Sequence, residues 1–237
     1  MKWGAVIGGF TLAALASLPG ALPARAADMT PVVQRGAPSG YIPAQFLWTG
    51  FYLGAGIGDG WGTADFVDPL APTTASVSPK GFLVSGVTGI NYQISSAVIG
   101  VEGDFTGAWV KGSTVDSANN TLQTSVFWTA SIVGRLGWAF DRLLVYGRGG
   151  VGFDYDRDTV IVPSGASALG SVDHFGWTVG GGVEYALTEH WTGRLEYDYL
   201  KFATRGFIFA GPAIPGGASG NVGLKLNEIK GIMAYKF

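Results

Sequence analysis

The 237 residues of the chain could form one or two soluble domains or a single barrel, but only 14% are charged and 47% are hydrophobic. This composition is too apolar for a disordered chain, and a formal net charge of −2 without a basic patch argues against nucleic-acid binding. With no cysteine and two histidines there is no disulfide framework and little material for a zinc site, so we predict no metal and no cofactor.

The amino-terminal segment has the pattern of a secretory signal peptide. Lys2 precedes an apolar run over residues 6–18, and Ala24-Arg25-Ala26 supplies the small residues that a signal peptidase reads. We therefore predict a signal peptide over residues 1–26 and a flexible periplasmic leader over residues 27–47. A membrane anchor is the less favoured alternative, because the apolar run is too short and a cleavage pattern follows it.

From Trp48 onward, apolar and polar residues alternate as they do in strands with one apolar and one polar face. In the seventh segment, for example, Leu195 and Tyr197 alternate with Glu196. We predict eight strands, over residues 48–60, 80–93, 97–109, 122–139, 143–155, 173–185, 191–200 and 229–237.

The connections alternate between tight turns and long stretches. Short turns lie at residues 95–96, 140–142 and 188–190, whereas the long stretches, rich in Gly, Pro, Ser, Thr or Asn, are 61–79, 110–121, 156–172 and 201–221. Short periplasmic turns and long extracellular loops are typical of bacterial outer-membrane barrels. The sequence therefore predicts an all-β fold, an eight-stranded antiparallel transmembrane β-barrel over residues 48–237 in the cell outer membrane.

Aromatic residues fall near both ends of the predicted strands, as expected for rings that occupy the two membrane interfaces. We predict an aromatic girdle that includes Trp48, Trp61, Trp109, Trp138 and Trp191. A soluble lipocalin-like barrel also alternates, but it hides its apolar face inside. The signal peptide and the aromatic strand ends argue against that alternative.

Four stretches of the sequence have a recognisable family pattern. They are Trp48-Thr49-Gly50-Phe51-Tyr52-Leu53-Gly54 in the first predicted strand, residues 176–187 in the sixth strand and its turn, residues 191–199 in the seventh strand, and Tyr235-Lys236-Phe237 at the carboxy-terminus. These stretches resemble the corresponding parts of the rhizobial and brucella-type outer-membrane immunogenic proteins, which are small barrels of the porin family. The resemblance implies roles in envelope integrity and surface antigenicity, and implies that the barrel-assembly machinery recognises Tyr235 and Phe237 as an assembly signal. The expected partners are that machinery, outer-membrane lipid and lipopolysaccharide.

Charged residues recur on the face that the alternation places inside the barrel. They are Glu102, Asp104, Arg135, Arg148, Glu184, Arg194, Glu196 and Lys230. Side chains fill an eight-stranded barrel, and an unpaired buried charge is costly, so we predict a lumen charge network that blocks free diffusion. A narrow ion path is the alternative.

The sequence contains no convincing catalytic group. His174 and His190 are predicted at opposite ends of the barrel, so no nucleophile and base can be paired, and we predict that the protein is not an enzyme. We predict instead a contribution to envelope structure and surface exposure. Some members of the resembled family are reported to bind haemin, and a haemin or ligand receptor is a further alternative, although the predicted long loops contain neither His nor Tyr.

Asp154, Asp156 and Asp158 share one strand face and run into a predicted loop. A calcium-binding loop requires Gly at its sixth position and Glu at its twelfth, and Thr159 and Gly165 occupy these positions. We therefore expect a solvated acidic rim here, with a rim cation site as the alternative.

Overall fold

A computed structural model describes residues 46–67, 74–116, 119–212 and 214–237. The predicted signal peptide, and all of the predicted leader except Phe46 and Leu47, lie outside the described residues. Within the described part of the chain there is no helix long and apolar enough to cross a membrane.

Ten strands make up most of the described residues. These are β1 (Gly50–Val67), β2 (Thr74–Val77), β3 (Lys80–Ile94), β4 (Ala97–Val115), β5 (Thr121–Phe140), β6 (Leu143–Ile161), β7 (Ser167–Ala186), β8 (Trp191–Phe202), β9 (Arg205–Gly211) and β10 (Ile214–Lys236).

The strands close into an antiparallel barrel. Each long strand pairs with its neighbours in the chain, and β1 pairs with β10 over sixteen register positions, from Tyr52 with Lys236 to Val67 with Asn221. The short β2 and β9 continue β3 and β8 at the outer end of the barrel, so the ten strands correspond to eight barrel strands. Closure gives hydrogen-bond partners to the backbone N–H and C=O groups, which hydrocarbon cannot supply. The strand pairing confirms the predicted eight-stranded fold.

Most of the stretches predicted as long loops continue as strand. β4 runs to Val115 and β5 starts at Thr121, inside the stretch predicted to connect them, and β6 likewise runs on to Ile161. The physical reason is that inward apolar side chains such as Val110 and Val160 stay buried beyond the membrane. Burying these side chains favours strand pairing where the Gly- and Ser-rich composition had indicated loops.

The outward face carries the apolar residues. Along β4, Val101 and Phe105 are exposed on the outside, whereas Glu102 and Asp104 between them are buried inside. Two belts of outward aromatic rings bound this apolar band, as expected at the interfaces of a membrane. The outer belt contains Trp61, Phe82, Trp109, Trp128, Tyr155, Phe175, Trp177 and Tyr199; the inner belt contains Phe51, Tyr92, Trp138, Tyr185, Trp191, Tyr235 and Phe237.

Of the predicted girdle residues, Trp61, Trp109, Trp138 and Trp191 are exposed on the outward face. The prediction for Trp48 is wrong, because its side chain is only 2% exposed. This residue precedes β1 and folds back into the inner mouth of the barrel, so it does not follow the alternation of the strand.

Candidate functional site

A repeated arrangement of tyrosine, glycine and glutamate places two hydroxyl groups in the barrel interior. Tyr52 is the register partner of Gly89, which is the register partner of Glu102 on the next strand. The Tyr52 ring crosses the space above the glycine, and its hydroxyl donates a hydrogen bond to Glu102 Oε2 at 2.6 Å.

The same arrangement occurs across β6, β7 and β8. Tyr146 is the register partner of Gly182, and Gly182 is the register partner of Glu196. The Tyr146 hydroxyl donates to Glu196 Oε2 at 2.7 Å. A Cβ at Gly182 would lie 2.8 Å from that hydroxyl oxygen, so the glycine provides the space that the tyrosine occupies.

Three arginines converge on Glu102, which is fully buried. Arg194 Nη1 lies 2.6 Å from Glu102 Oε2, and Arg135 Nη1 lies 3.3 Å from the same oxygen. Arg148 Nη1 lies 3.0 Å from the other oxygen, Oε1. Arg148 and Arg194 also pair with Glu196, so the two glutamates that accept the tyrosine hydroxyls share two cations.

Lys230 forms a second centre on β10. Its ammonium nitrogen lies 3.0 Å from Asp198, 3.1 Å from Asp104 and 3.1 Å from Glu228. Thr129 Oγ1 also donates to Glu228 Oε1, at 3.2 Å. The lysine thus has three carboxylates for the three protons that an ammonium can donate.

Among the described residues, these contacts form one connected network, called here the charged layer. It consists of Glu102, Asp104, Glu184, Glu196, Asp198 and Glu228 with Arg135, Arg148, Arg194 and Lys230. Six carboxylates face four cations, a formal excess of two negative charges (6 − 4). Loss of a cation therefore aggravates the imbalance, whereas loss of a carboxylate relieves it.

An outer apolar layer lies on the extracellular side of the charged layer. On β8, Leu200 and Phe202 follow the charged residues toward the outer end, and Leu224 and Leu226 precede them on β10. The layer consists of Ala64, Val77, Leu83, Ala108, Val110, Leu122, Val126, Val160, Ala168, Leu200, Phe202, Leu224 and Leu226.

An inner apolar layer lies on the periplasmic side and consists of Phe46, Trp48, Val98, Ala139, Leu144, Tyr146 and Ala186. Trp48 Nε1 donates to the Asp141 carbonyl at 3.0 Å, and the ring packs against Phe46 with centroids 4.8 Å apart. Phe46, which the prediction placed in the leader, therefore helps to close the mouth of the barrel. The charged layer is buried between two apolar layers.

The expectation of a solvated acidic rim is wrong. Asp154, Asp156 and Asp158 are all fully buried, because β6 continues through them and directs them into the barrel. Thr124 Oγ1 donates to Asp158 Oδ1 at 2.8 Å across the β5–β6 pair.

The structure buries all eight charged residues that the sequence assigned to the lumen and brings them into one network. Sequence reasoning left out Asp198, Glu228 and the hydroxyls of Tyr52 and Tyr146. The alternation places all four residues on the inward face. The signal that could have identified the two tyrosines is the glycine opposite each of them on the next strand, which leaves space for the ring.

The proposed assembly signal lies in the inner belt. The Tyr235 and Phe237 rings are 5.1 Å apart, and Phe237 is 5.6 Å from Phe51 on the adjacent strand. Of the two histidines, His190 stacks on Tyr235 at 5.4 Å at the periplasmic end, and the side chain of His174 lies outside the described residues. Recognition of the terminal aromatics by assembly machinery stays a prediction.

Comparison with known proteins gives one family and a set of relatives. The family described as "Outer membrane protein beta-barrel domain" matches residues 10–237. The 31 kDa outer-membrane immunogenic protein of Brucella melitensis is 32% identical over 203 residues, covering 78% of this chain and 83% of the relative. The 22 kDa outer membrane protein of Rhizobium leguminosarum is 32% identical over 160 residues, covering 68% and 67%. These relatives confirm the resemblance predicted from the strand residues.

Solved structures give the same fold. The outer membrane protein OprG of Pseudomonas aeruginosa superposes with a TM-score of 0.50 at 14% identity, over 80% of this chain and 96% of that protein. At this identity the likeness concerns the fold alone.

The charge imbalance predicts that cations and carboxylates respond differently to neutralisation. Arg194→Met should lower the free energy of unfolding by about 3–5 kcal/mol, because it leaves buried carboxylates uncompensated. Glu228→Gln should cost only about 1 kcal/mol, because it removes one of the excess negative charges and keeps the side-chain shape. Urea titration of tryptophan fluorescence in lipid vesicles measures both. Equal losses for the two variants would contradict the account of the charged layer.

The space above Gly182 predicts a cost for a single methyl group. Gly182→Ala should destabilise the barrel by about 1–3 kcal/mol, because the added Cβ clashes with the Leu195 carbonyl oxygen and displaces the Tyr146 hydroxyl from Glu196. Gly86→Ala is the matched control: no atom lies within 4 Å of a Cβ built there, so its effect should stay within about 0.5 kcal/mol. The same urea titration compares the two, and a tolerated Gly182→Ala would show that the tyrosine does not need this space.

Proposed function

Because the chain belongs to the outer-membrane β-barrel protein family and lies in the outer membrane, we propose that it is a non-enzymatic, closed barrel. In this proposal it contributes to envelope structure and presents the outer ends of its strands at the cell surface. The names of the relatives, outer-membrane immunogenic proteins, support surface exposure.

The burial of the charged layer between two apolar layers carries the proposal. An ion crossing the barrel would have to pass the inner apolar layer, break contacts such as Arg194 with Glu102, and then pass Leu200 and Phe202. The apolar side chains of each layer disfavour the water that an ion needs for hydration, and the outer layer also encloses the buried side chains of Asp156 and Asp158. This arrangement favours the structural interpretation over a narrow ion path.

The absence of catalysis is supported by where the ionisable groups lie. Acid, base and nucleophile must reach a substrate, whereas Glu102, Arg148 and Lys230 are buried against one another. Their polar atoms are occupied by contacts with one another, which leaves no open site among the described residues at this level.

Planar bilayer recording tests the proposal. The folded protein, which includes the described barrel from Phe46 to Phe237, should give no steady single-channel openings at potentials where a general porin conducts in the same membrane. Trp48→Ala should also give no single-channel openings, because the charged layer and the outer apolar layer remain in place. Steady openings of the wild-type protein would overturn the closed-barrel proposal, and a conductance that changes in Arg148→Gln would locate the path in the charged layer.

A further inference from the structure

A row of hydrogen-bond donors lies on the outward face at the extracellular end of the barrel. Lys80 on β3 is the register partner of Lys111 on β4, which is the register partner of Ser125 on β5. Ser125 is in turn the register partner of Arg157 on β6. The three cationic side chains are exposed and the serine is half-buried, so four adjacent strands present two ammonium groups, a hydroxyl and a guanidinium side by side.

No carboxylate in the described part of the chain neutralises this row. Like charges directly opposite one another on paired strands are destabilising. Among the residues that the structure describes, Lys80, Lys111 and Arg157 form no ion pair with a carboxylate, and the guanidinium of Arg157 lies 5.4 Å over the ring of Phe127. The charge is thus left available to an external anion.

The row lies directly above the outer aromatic belt. On each strand the cation is two residues beyond an outward ring: Lys80 beyond Phe82, Lys111 beyond Trp109, and Arg157 beyond Tyr155. Rings of this kind mark the level of the lipid headgroups, so the cations stand at the height of the headgroups of the outer leaflet. A polar groove lined by Lys111, Ser113, Gln123 and Ser125 adjoins them.

A second lysine pair on the other side of the barrel provides a comparison. Lys201 and Lys225 are also register partners, but Lys225 Nζ lies 3.3 Å from Asp65 Oδ2. A hydrogen bond from the Ser76 hydroxyl, together with this lysine, holds the pKa of Asp65 below its usual range, so the carboxylate is ionised at neutral pH. Lys225 of the second pair therefore has its own counter-ion, whereas Lys80 and Lys111 have none among the residues that the structure describes.

We propose that Lys80, Lys111, Ser125 and Arg157 form a binding site for the phosphate groups of an anionic glycolipid in the outer leaflet, such as the lipid A portion of lipopolysaccharide. Ammonium and guanidinium groups are the usual ligands of phosphate oxygens, and the hydroxyl adds a neutral donor between them. The acyl chains of the same lipid would lie along the apolar band below the site, against Phe82 and Trp109. The site needs the barrel to be in the outer membrane, but it does not depend on whether the lumen conducts.

Lipid binding to the folded full chain in detergent micelles tests the site. Native mass spectrometry should show that Lys80→Gln/Lys111→Gln binds bisphosphorylated lipid A at least about tenfold more weakly than the wild-type protein. Lipid A whose phosphates have been removed should bind the wild-type protein and this variant equally. Inorganic phosphate should compete only weakly with lipid A, because it lacks the acyl contacts.

Lys201→Gln/Lys225→Gln removes the same charge at the same level and is the matched control, with an expected loss of less than about threefold. Heat-modifiable migration on a gel verifies that each variant is folded, and Arg157→Gln gives a second reading of the site. Unchanged lipid A affinity in Lys80→Gln/Lys111→Gln and in Arg157→Gln would overturn the proposal. Equal losses in the two lysine double variants would assign binding to general surface charge, and phosphate binding as tight as lipid A binding would overturn the assignment to a lipid.

Discussion

Hydrocarbon on the outside of the sheet leaves the barrel interior as the only place within the membrane where ionic side chains can lie. A barrel of eight strands encloses too little space for those side chains to be hydrated, so they must form ion pairs and hydrogen bonds with one another. The convergence of Arg135, Arg148 and Arg194 on Glu102 follows from this constraint. So do the glycines at Gly89 and Gly182, which make room for the tyrosines that complete the hydrogen bonding.

The same constraint fixes the register of the strands. Successive side chains of a strand point to opposite faces, so a slip by one residue would turn Lys230 toward lipid and Ile229 into the charged layer. Buried ion pairs contribute little net stability compared with a well-packed apolar interior, yet they penalise every arrangement that separates them. The main effect of the charged layer is therefore to select one register of strand pairing, and its contribution to the net stability of the barrel is small. The apolar layers on either side limit the access of water, which would lower the penalty for separating the ion pairs.

Alternation along the sequence was sufficient to predict the strands, their outward and inward faces and the charged residues of the interior, because lipid enforces a strict two-residue period. It could not predict the outer strand extensions, since residues 110–121 have the Gly and Ser content of a loop and their inward apolar residues are sparse. It also misplaced Trp48, which precedes the first paired residue and bends into the mouth, where the period no longer applies. Partner choice within the network was beyond sequence reasoning, because it depends on which strands the barrel shear brings opposite one another.

Hydrogen–deuterium exchange of the arginine side chains, followed by NMR on the folded protein in micelles, tests the dry, paired interior most directly. Arg135, Arg148 and Arg194 are each 5% exposed or less, and their guanidinium protons should exchange far more slowly than those of the exposed Arg157, with separate resonances for the individual protons. Exchange as fast as that of Arg157 would show that water fills the lumen, and would contradict a charged layer closed between apolar layers.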